Sequence, residues 1–349
     1  MSAAGRLIAA SLVRYSTGIA IQRNICSTAC SLGIKSRWVA PYRRELLKRQ
    51  KIMVKKGLAP SSRRSEFIEW NYDAELFAFG KRLQEEFNGE LLREALTDSS
   101  YIAQETVRQQ ALDVDVPALD MNSNKQLAAA GEKIILDYCT KYLRASLPLL
   151  PEEGIRALVE YLSSEEVMSD IGFGIGLKDL ILCQEYPPSP QTLAKSFRAV
   201  VGALNASAGI SRCQLFVRDF VASYLVGKDP SDIWQIESPM ELLKDILVRS
   251  GYGEPEPRLM FKTGKNTIQA VYQVGVYSDK KLMGSGYGET VDTAVEQAAH
   301  DAVKKLFHIA EASNPLPFGK DADKIVLADQ ENTPLSEWSI NKLHNIVNC

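Results

Sequence analysis

Asn124-Lys125-Gln126-Leu127-Ala128-Ala129-Ala130-Gly131-Glu132-Lys133-Ile134-Ile135 decides how the rest of this chain is read. Leu127, Gly131 and Ile135 recur every four residues and share one face of a helix. The run from Ala128 to Gly131 is small enough to let a second helix approach closely. Lys125, Ala128 and Glu132, at i, i+3 and i+7, are expected along another side of the same helix.

Working outward, residues 66–228 read as helical throughout. Leu76, Phe79, Leu83 and Phe87 mark one amphipathic helix, and Leu91, Leu92, Ala95 and Leu96 mark the next. Pro148 and Pro151 interrupt the pattern, which Ile155, Leu158, Val159 and Leu162 resume. Ser189-Pro190 has the form of an N-cap with proline at the first helical position, opening a helix through Leu193, Phe197, Val201 and Leu204. A last helix uses Leu215, Phe216, Phe220, Tyr224 and Leu225 and stops at Gly227. Gly172-Phe173-Gly174-Ile175-Gly176 follows no strand and lacks the spacing of a dinucleotide loop, so it reads as a turn.

The periodicity changes after a linker over 229–237. Ser238-Pro239-Met240-Glu241 has the spacing of a capping box and leads into Leu242, Leu243, Ile246 and Leu247, ending at Gly251. Tyr272, Val274 and Val276 alternate as one side of a strand, and Asp279-Lys280-Lys281 turns the chain into Leu282–Gly286. A closing helix after Thr290 carries Ala294, Ala298 and Ala302 on one face. Residues 238–310 are therefore a small α-β-β-β-α unit, and the chain as a whole is multidomain α+β. Residues 311–349 are polar and weakly patterned, and read as an arm with a short terminal helix.

The charge is unevenly placed. The net value is −2, but residues 1–64 carry fourteen Lys and Arg against Glu45 alone, leaving 27 basic against 42 acidic groups in the remainder. Residues 1–30 are acid-free, with Arg6, Arg14 and Arg23 set among Ala, Ile, Leu and Ser, which is the composition of a mitochondrial transit peptide. Residues 31–65 form a basic arm. Its cations Arg43, Arg44, Lys48, Arg49, Lys51, Lys55, Lys56, Arg63 and Arg64 are candidates for contacting RNA phosphates. Cys26, Cys30, Cys139, Cys183, Cys213 and Cys349 show no metal-ligand spacing, and the pattern fits free thiols in a reducing compartment. No apolar run approaches the roughly 20 residues a membrane span needs.

The helix quoted first resembles the signature helix of ribonuclease III domains, with Gly131-Glu132 where that family has Gly-Asp. Leu91-Leu92-Arg93-Glu94-Ala95-Leu96-Thr97-Asp98-Ser99-Ser100-Tyr101 is similar to the family's first motif, with Asp98 where a histidine is usual. Phe197-Arg198-Ala199-Val200-Val201-Gly202-Ala203 is similar to its last motif in packing though not in charge. The resemblance implies a two-magnesium carboxylate cage. Of its five positions, Lys125, Ala128, Glu132, Lys195 and Arg198, only Glu132 is acidic. Magnesium takes oxygen ligands, and a unit charge about 4 Å from another interacts at about 4 kcal/mol for an effective dielectric of 20. A basic side chain turned inward would repel a divalent ion by about twice that. The expectation is a catalytically dead domain with no metal and no cofactor, in which Glu132 pairs with Lys195 or Arg198.

The unit over 238–310 resembles a double-stranded RNA-binding domain. Val291, Asp292 and Val295 stand where that family's phosphate-binding lysines are expected, and Ile268 stands near the place of its loop histidine. The two units together, with Trp70-Asn71-Tyr72 and Phe79-Gly80-Lys81-Arg82-Leu83-Gln84, resemble a ribonuclease III-like family of the mitochondrial ribosome's large subunit. That implies a structural role in the mitochondrial matrix, with ribosomal RNA and neighbouring ribosomal proteins as partners, in support of assembly and translation. The alternatives are an active magnesium-dependent endonuclease of double-stranded RNA, and a free RNA-processing adaptor that dimerises with another ribonuclease III-like chain.

Overall fold

The computed structural model describes residues 40–56, 63–66, 70–111, 122–264, 267–309, 316–319, 321–327 and 329–340. The stretch read as a transit peptide, 1–30, lies outside them. The chain divides into two bodies, residues 1–62 and 63–349. The first contributes one described helix, α1 (Ala40–Lys55), whose described side chains are all exposed.

The second body opens with helices. Asn71 caps α2 (Tyr72–Leu83) by accepting from the Asp73 and Ala74 amides, and Asn88 caps α3 (Gly89–Ala95) by accepting from Glu90. α2 is shorter than its apolar spacing suggests. Gln84 takes φ 58° and ends it, so Phe87 reaches Phe79 from the following loop, with ring centroids 6.1 Å apart. Then come α4 (Ser99–Ala111), α5 (Lys125–Ser146), α6 (Glu152–Ser163) and α7 (Glu165–Gly174). α8 (Pro190–Ala208) and α9 (Ile210–Phe220) complete the domain. As expected, Ser189 caps α8, accepting from the Thr192 amide at 3.3 Å. Within Gly172–Gly176, the first three residues close α7 and Gly176 makes the turn at φ 86°.

α8 is the axis of this domain. Its segment Ala199–Leu204 is buried on every side, as befits a helix surrounded by others. It crosses α5 where two glycines meet: a Cβ on Gly131 would collide with the Arg198 carbonyl, and one on Gly202 with the Leu127 carbonyl. The small run in α5 does admit a close neighbour. One placement differs from the expected: Ala128 joins Gly131 and Ile135 on the buried face, while Leu127 is only half-buried.

The stretch expected as a linker contains a one-turn helix, α10 (Pro230–Ile233), capped by Asp229. Lys304 reaches back to the same Asp229 at 2.7 Å. Beyond it α11 (Pro239–Arg249) starts at Ser238, whose side chain makes no capping bond, so the capping box is present in sequence only. The sheet is antiparallel in the order β1 (Glu256–Thr263), β2 (Val271–Ser278), β3 (Lys281–Gly288), and α12 (Val291–Leu306) lies across it. Val274 and Val276 point inward opposite Gly286 and Gly284. Those glycines let α12 lie directly on β3: a Cβ on either would strike the backbone at Ala298, so the alanine face Ala294–Ala298–Ala302 is matched to missing side chains opposite.

The described part of the tail is not an arm. Trp338 is 4% exposed, donates its indole N–H to the Leu149 carbonyl at 2.9 Å and meets Phe307 edge-on at 5.0 Å. Asn332 donates to the Leu147 and Leu150 carbonyls, and the Ile340 amide donates to Ser250. Tyr142 donates to the Pro317 carbonyl. The described residues between 316 and 340 thus strap the sheet unit to the helical one. Residues 341–349 lie outside the description.

Candidate functional site

The five positions expected to form a vacated metal site lie on α5 and α8. Ala128 is packed into the α5–α8 crossing, and Lys125 is exposed at the start of α5. Lys195 turns away from Glu132 and pairs with Asp98 at 2.7 Å, in the segment between α3 and α4. Arg198 spends its best bond on α6, donating to the Ser163 carbonyl at 2.7 Å, and approaches Glu132 only at 3.9 Å. The expected pairing of Glu132 is therefore with Arg198 rather than Lys195. It is long, and the Glu132 side chain is 46% exposed, so it contributes little.

The strong pair at this site is the one the spacing did not reveal. Asp98 is 8% exposed. Burial alone would raise its carboxyl pKa, but the Lys195 ammonium and the Ser100 amide hold it down at about 2. Its backbone is fixed too, with the Asp98 amide donating to Leu182 at 3.0 Å beside a single parallel bridge between Thr97 and Leu182. A carboxylate from the α3–α4 segment and an ammonium from α8 thus close on each other. Among the described residues no group of three or more His, Cys, Asp and Glu side chains is placed to hold a metal ion. Ammonium and guanidinium groups cannot ligate magnesium, and this donor set does not fit a two-metal cage.

The candidate RNA contacts fall into two groups. Arg44, Lys48, Arg49, Lys51, Lys55 and Lys56 have exposed side chains on or just beyond α1, and Arg43 lies on the same helix. Arg63 and Arg64 belong to the other body and have partners there. Arg63 donates to the Cys183 and Gln184 carbonyls, and Arg64 lies 3.6 Å from Glu75 and over the Trp70 ring. In the sheet unit, Val291 and Asp292 are exposed at the start of α12, and Ile268 is fully exposed. That surface offers RNA no cation at those three positions.

Two family models match the chain. Residues 71–204 match the family "Large ribosomal subunit protein mL44, endonuclease domain", and residues 234–339 match the "MRPL44 dsRNA-binding domain". The large ribosomal subunit protein mL44 of Caenorhabditis elegans is 31% identical over 309 residues, 87% of this chain and 76% of that protein. The chain belongs to the mL44 family. Ribonuclease 3 of Symbiobacterium thermophilum is 27% identical over 232 residues, covering 64% of this chain and 91% of that enzyme. The nuclease domain of ribonuclease III from Campylobacter jejuni is 20% identical, covers 45% of this chain and 97% of that one, and superposes with a TM-score of 0.34. The second mL44 match runs to residue 339, so it takes in the strap that composition alone suggested was an arm. No helix among the described residues is long and apolar enough to cross a membrane.

Proposed function

We propose that this chain is a structural component of the mitochondrial large ribosomal subunit, binding ribosomal RNA and neighbouring proteins and supporting assembly, and that its ribonuclease III-like domain cuts nothing. Membership of the mL44 family along 87% of the chain supports the ribosomal role. The observation that carries the loss of cutting is that Glu132, the one acid among the five positions, has the Arg198 guanidinium 3.9 Å away, while Lys195 is paired with Asp98. A two-metal hydrolase must hold divalent ions close together to activate water and stabilise the leaving oxygen. Here Lys125, Ala128, Lys195 and Arg198 supply no oxygen ligand, and Arg198 faces Glu132. The cations of the arm supply sequence-independent attraction to phosphates, while the poorly basic start of α12 favours protein over duplex RNA as the neighbour of the sheet unit.

Sedimentation of a mitochondrial extract tests the role: the protein is expected to travel with the large subunit, and material remaining at the top of the gradient would argue for a free adaptor. Incubation with duplex RNA and magnesium tests the chemistry. No cleavage above a protein-free blank is expected, and metal-dependent cutting abolished by Glu132→Gln would restore the enzyme reading.

A further inference from the structure

We propose that Arg44, Lys48, Lys51 and Lys55 form a phosphate-tracking stripe by which α1 lies along an RNA backbone; this rests on the RNA-binding role proposed above and assigns it to one face of one helix. Residues 40–56 hold seven cations against a single acid, Glu45. At 3.6 residues per turn, Arg44, Lys48, Lys51 and Lys55 fall within an arc of about 60°, with axial steps of about 6, 4.5 and 6 Å. The stripe is about 16 Å long and holds no acid. Glu45 lies on a different side and pairs with Arg49 at 3.7 Å in an i, i+4 contact, which partly offsets the cation furthest from the stripe. Lys56 follows Arg49 around the helix. The stripe side chains are all exposed, so no ion pair has to be broken and no core disturbed for them to meet a polyanion.

Two polyanions compete, an RNA and an anionic lipid surface, and the distribution of apolar residues separates them. A helix lying on lipid sinks its apolar face and sets cations along the flanks, where they reach the headgroups. In α1 Leu47, Ile52 and Val54 flank the stripe on both sides, about 70–90° from its centre, while Tyr42, Leu46 and Met53 gather on the opposite arc, more than about 140° away. Lipid contact through that arc would point the four cations into water. RNA contact through the stripe uses all four. The deep groove of A-form RNA is too narrow for side chains to read, so the stripe follows phosphates and carries no sequence preference.

The test compares the full chain with two variants, R44Q/K48Q/K51Q/K55Q and R49Q/K56Q, by fluorescence anisotropy with a labelled RNA hairpin across a range of KCl concentrations. Losing four phosphate contacts is expected to flatten the log affinity–log salt slope by about 3 and to weaken binding at least about tenfold near 150 mM salt. The R49Q/K56Q variant is expected to stay within about twofold of the parent, since neither cation lies on the contacting face. Equal loss per cation in the two variants would overturn the stripe, as would failure of the parent to bind RNA. Binding of the parent to cardiolipin-containing phosphatidylcholine vesicles in preference to the hairpin would also overturn it. Gradient sedimentation keeps this apart from the broader reading. A parent that travels with the large subunit while the salt slopes are unchanged sinks the stripe alone, and a parent absent from the subunit sinks the ribosomal role.

Discussion

Asp98 and Lys195 are separated by almost a hundred residues, and each is intelligible only through the other. A half-buried ammonium without its carboxylate is costly, so Asp98→Asn is expected to destabilise the protein by about 1–3 kcal/mol. Lys195→Met in the same background should recover a large part of that loss, and a double-mutant cycle in urea measures the coupling. Acid sensitivity follows from the sign of the shift. The folded carboxyl titrates near 2, below its unfolded value near 4, so its contribution is complete above pH 4 and lost as pH falls through 2. Removing the ammonium with Lys195→Met lifts the folded value, and the acid transition is expected to begin at higher pH. That Lys195 and Arg198 are basic was plain in the sequence, and so was the argument against magnesium. Which acid each would meet was not, because the loops bringing Thr97–Ser100 beside α8 leave no periodic trace.

At the scale of elements, the α5–α8 crossing is where sequence and structure agree most closely. Gly131 lies in a run of small residues, and the structure places the Arg198 carbonyl where its Cβ would be. Gly131→Ala is expected to push the helices apart at a cost of about 1–3 kcal/mol, read as a lower denaturant midpoint with an unchanged slope. Gly286→Ala should act similarly on the sheet unit, because α12 backbone occupies the space a methyl would need. The alternation of Tyr272, Val274 and Val276 and the alanine face of α12 were readable because regular elements repeat at fixed periods. Ala128 sits on the buried side of α5 and not beside Lys125, a placement the sequence hides because an alanine is small enough to suit either a buried or a solvated face. The ending of α2 at Gln84 was also hidden: its left-handed backbone is set by the local fold, and glutamine gives no warning of it.

Over the whole of residues 63–349, the strap is what composition could not foretell. Leu316, Phe318, Ile325, Leu327, Leu335 and Trp338 all pack against the core, but their spacing matches neither a helix nor a strand. Trp338→Ala is expected to cost about 3–5 kcal/mol, seen as a fall in melting temperature. Trp338→Phe keeps the contact with Phe307 and loses only the bond to the Leu149 carbonyl, so it should cost about 1–2 kcal/mol. Limited proteolysis should release the sheet unit from the helical one in the alanine variant before the phenylalanine variant.

Leu149 and Trp338 are 189 residues apart in the chain, and every residue of both domains' regular elements is made before the indole that joins them. Before the indole seats, the two domains are joined through residues 229–237, where Asp229 holds Lys304 and Trp234 lies on Phe307 with ring centroids 5.8 Å apart. Seating of Trp338 adds a second joint, from the Leu149 carbonyl on one side to the Phe307 ring on the other. A frameshift or stop codon just upstream of Trp338 would leave a protein with both domains present and one of their joints missing, a loosening of their mutual angle rather than a defect of either fold.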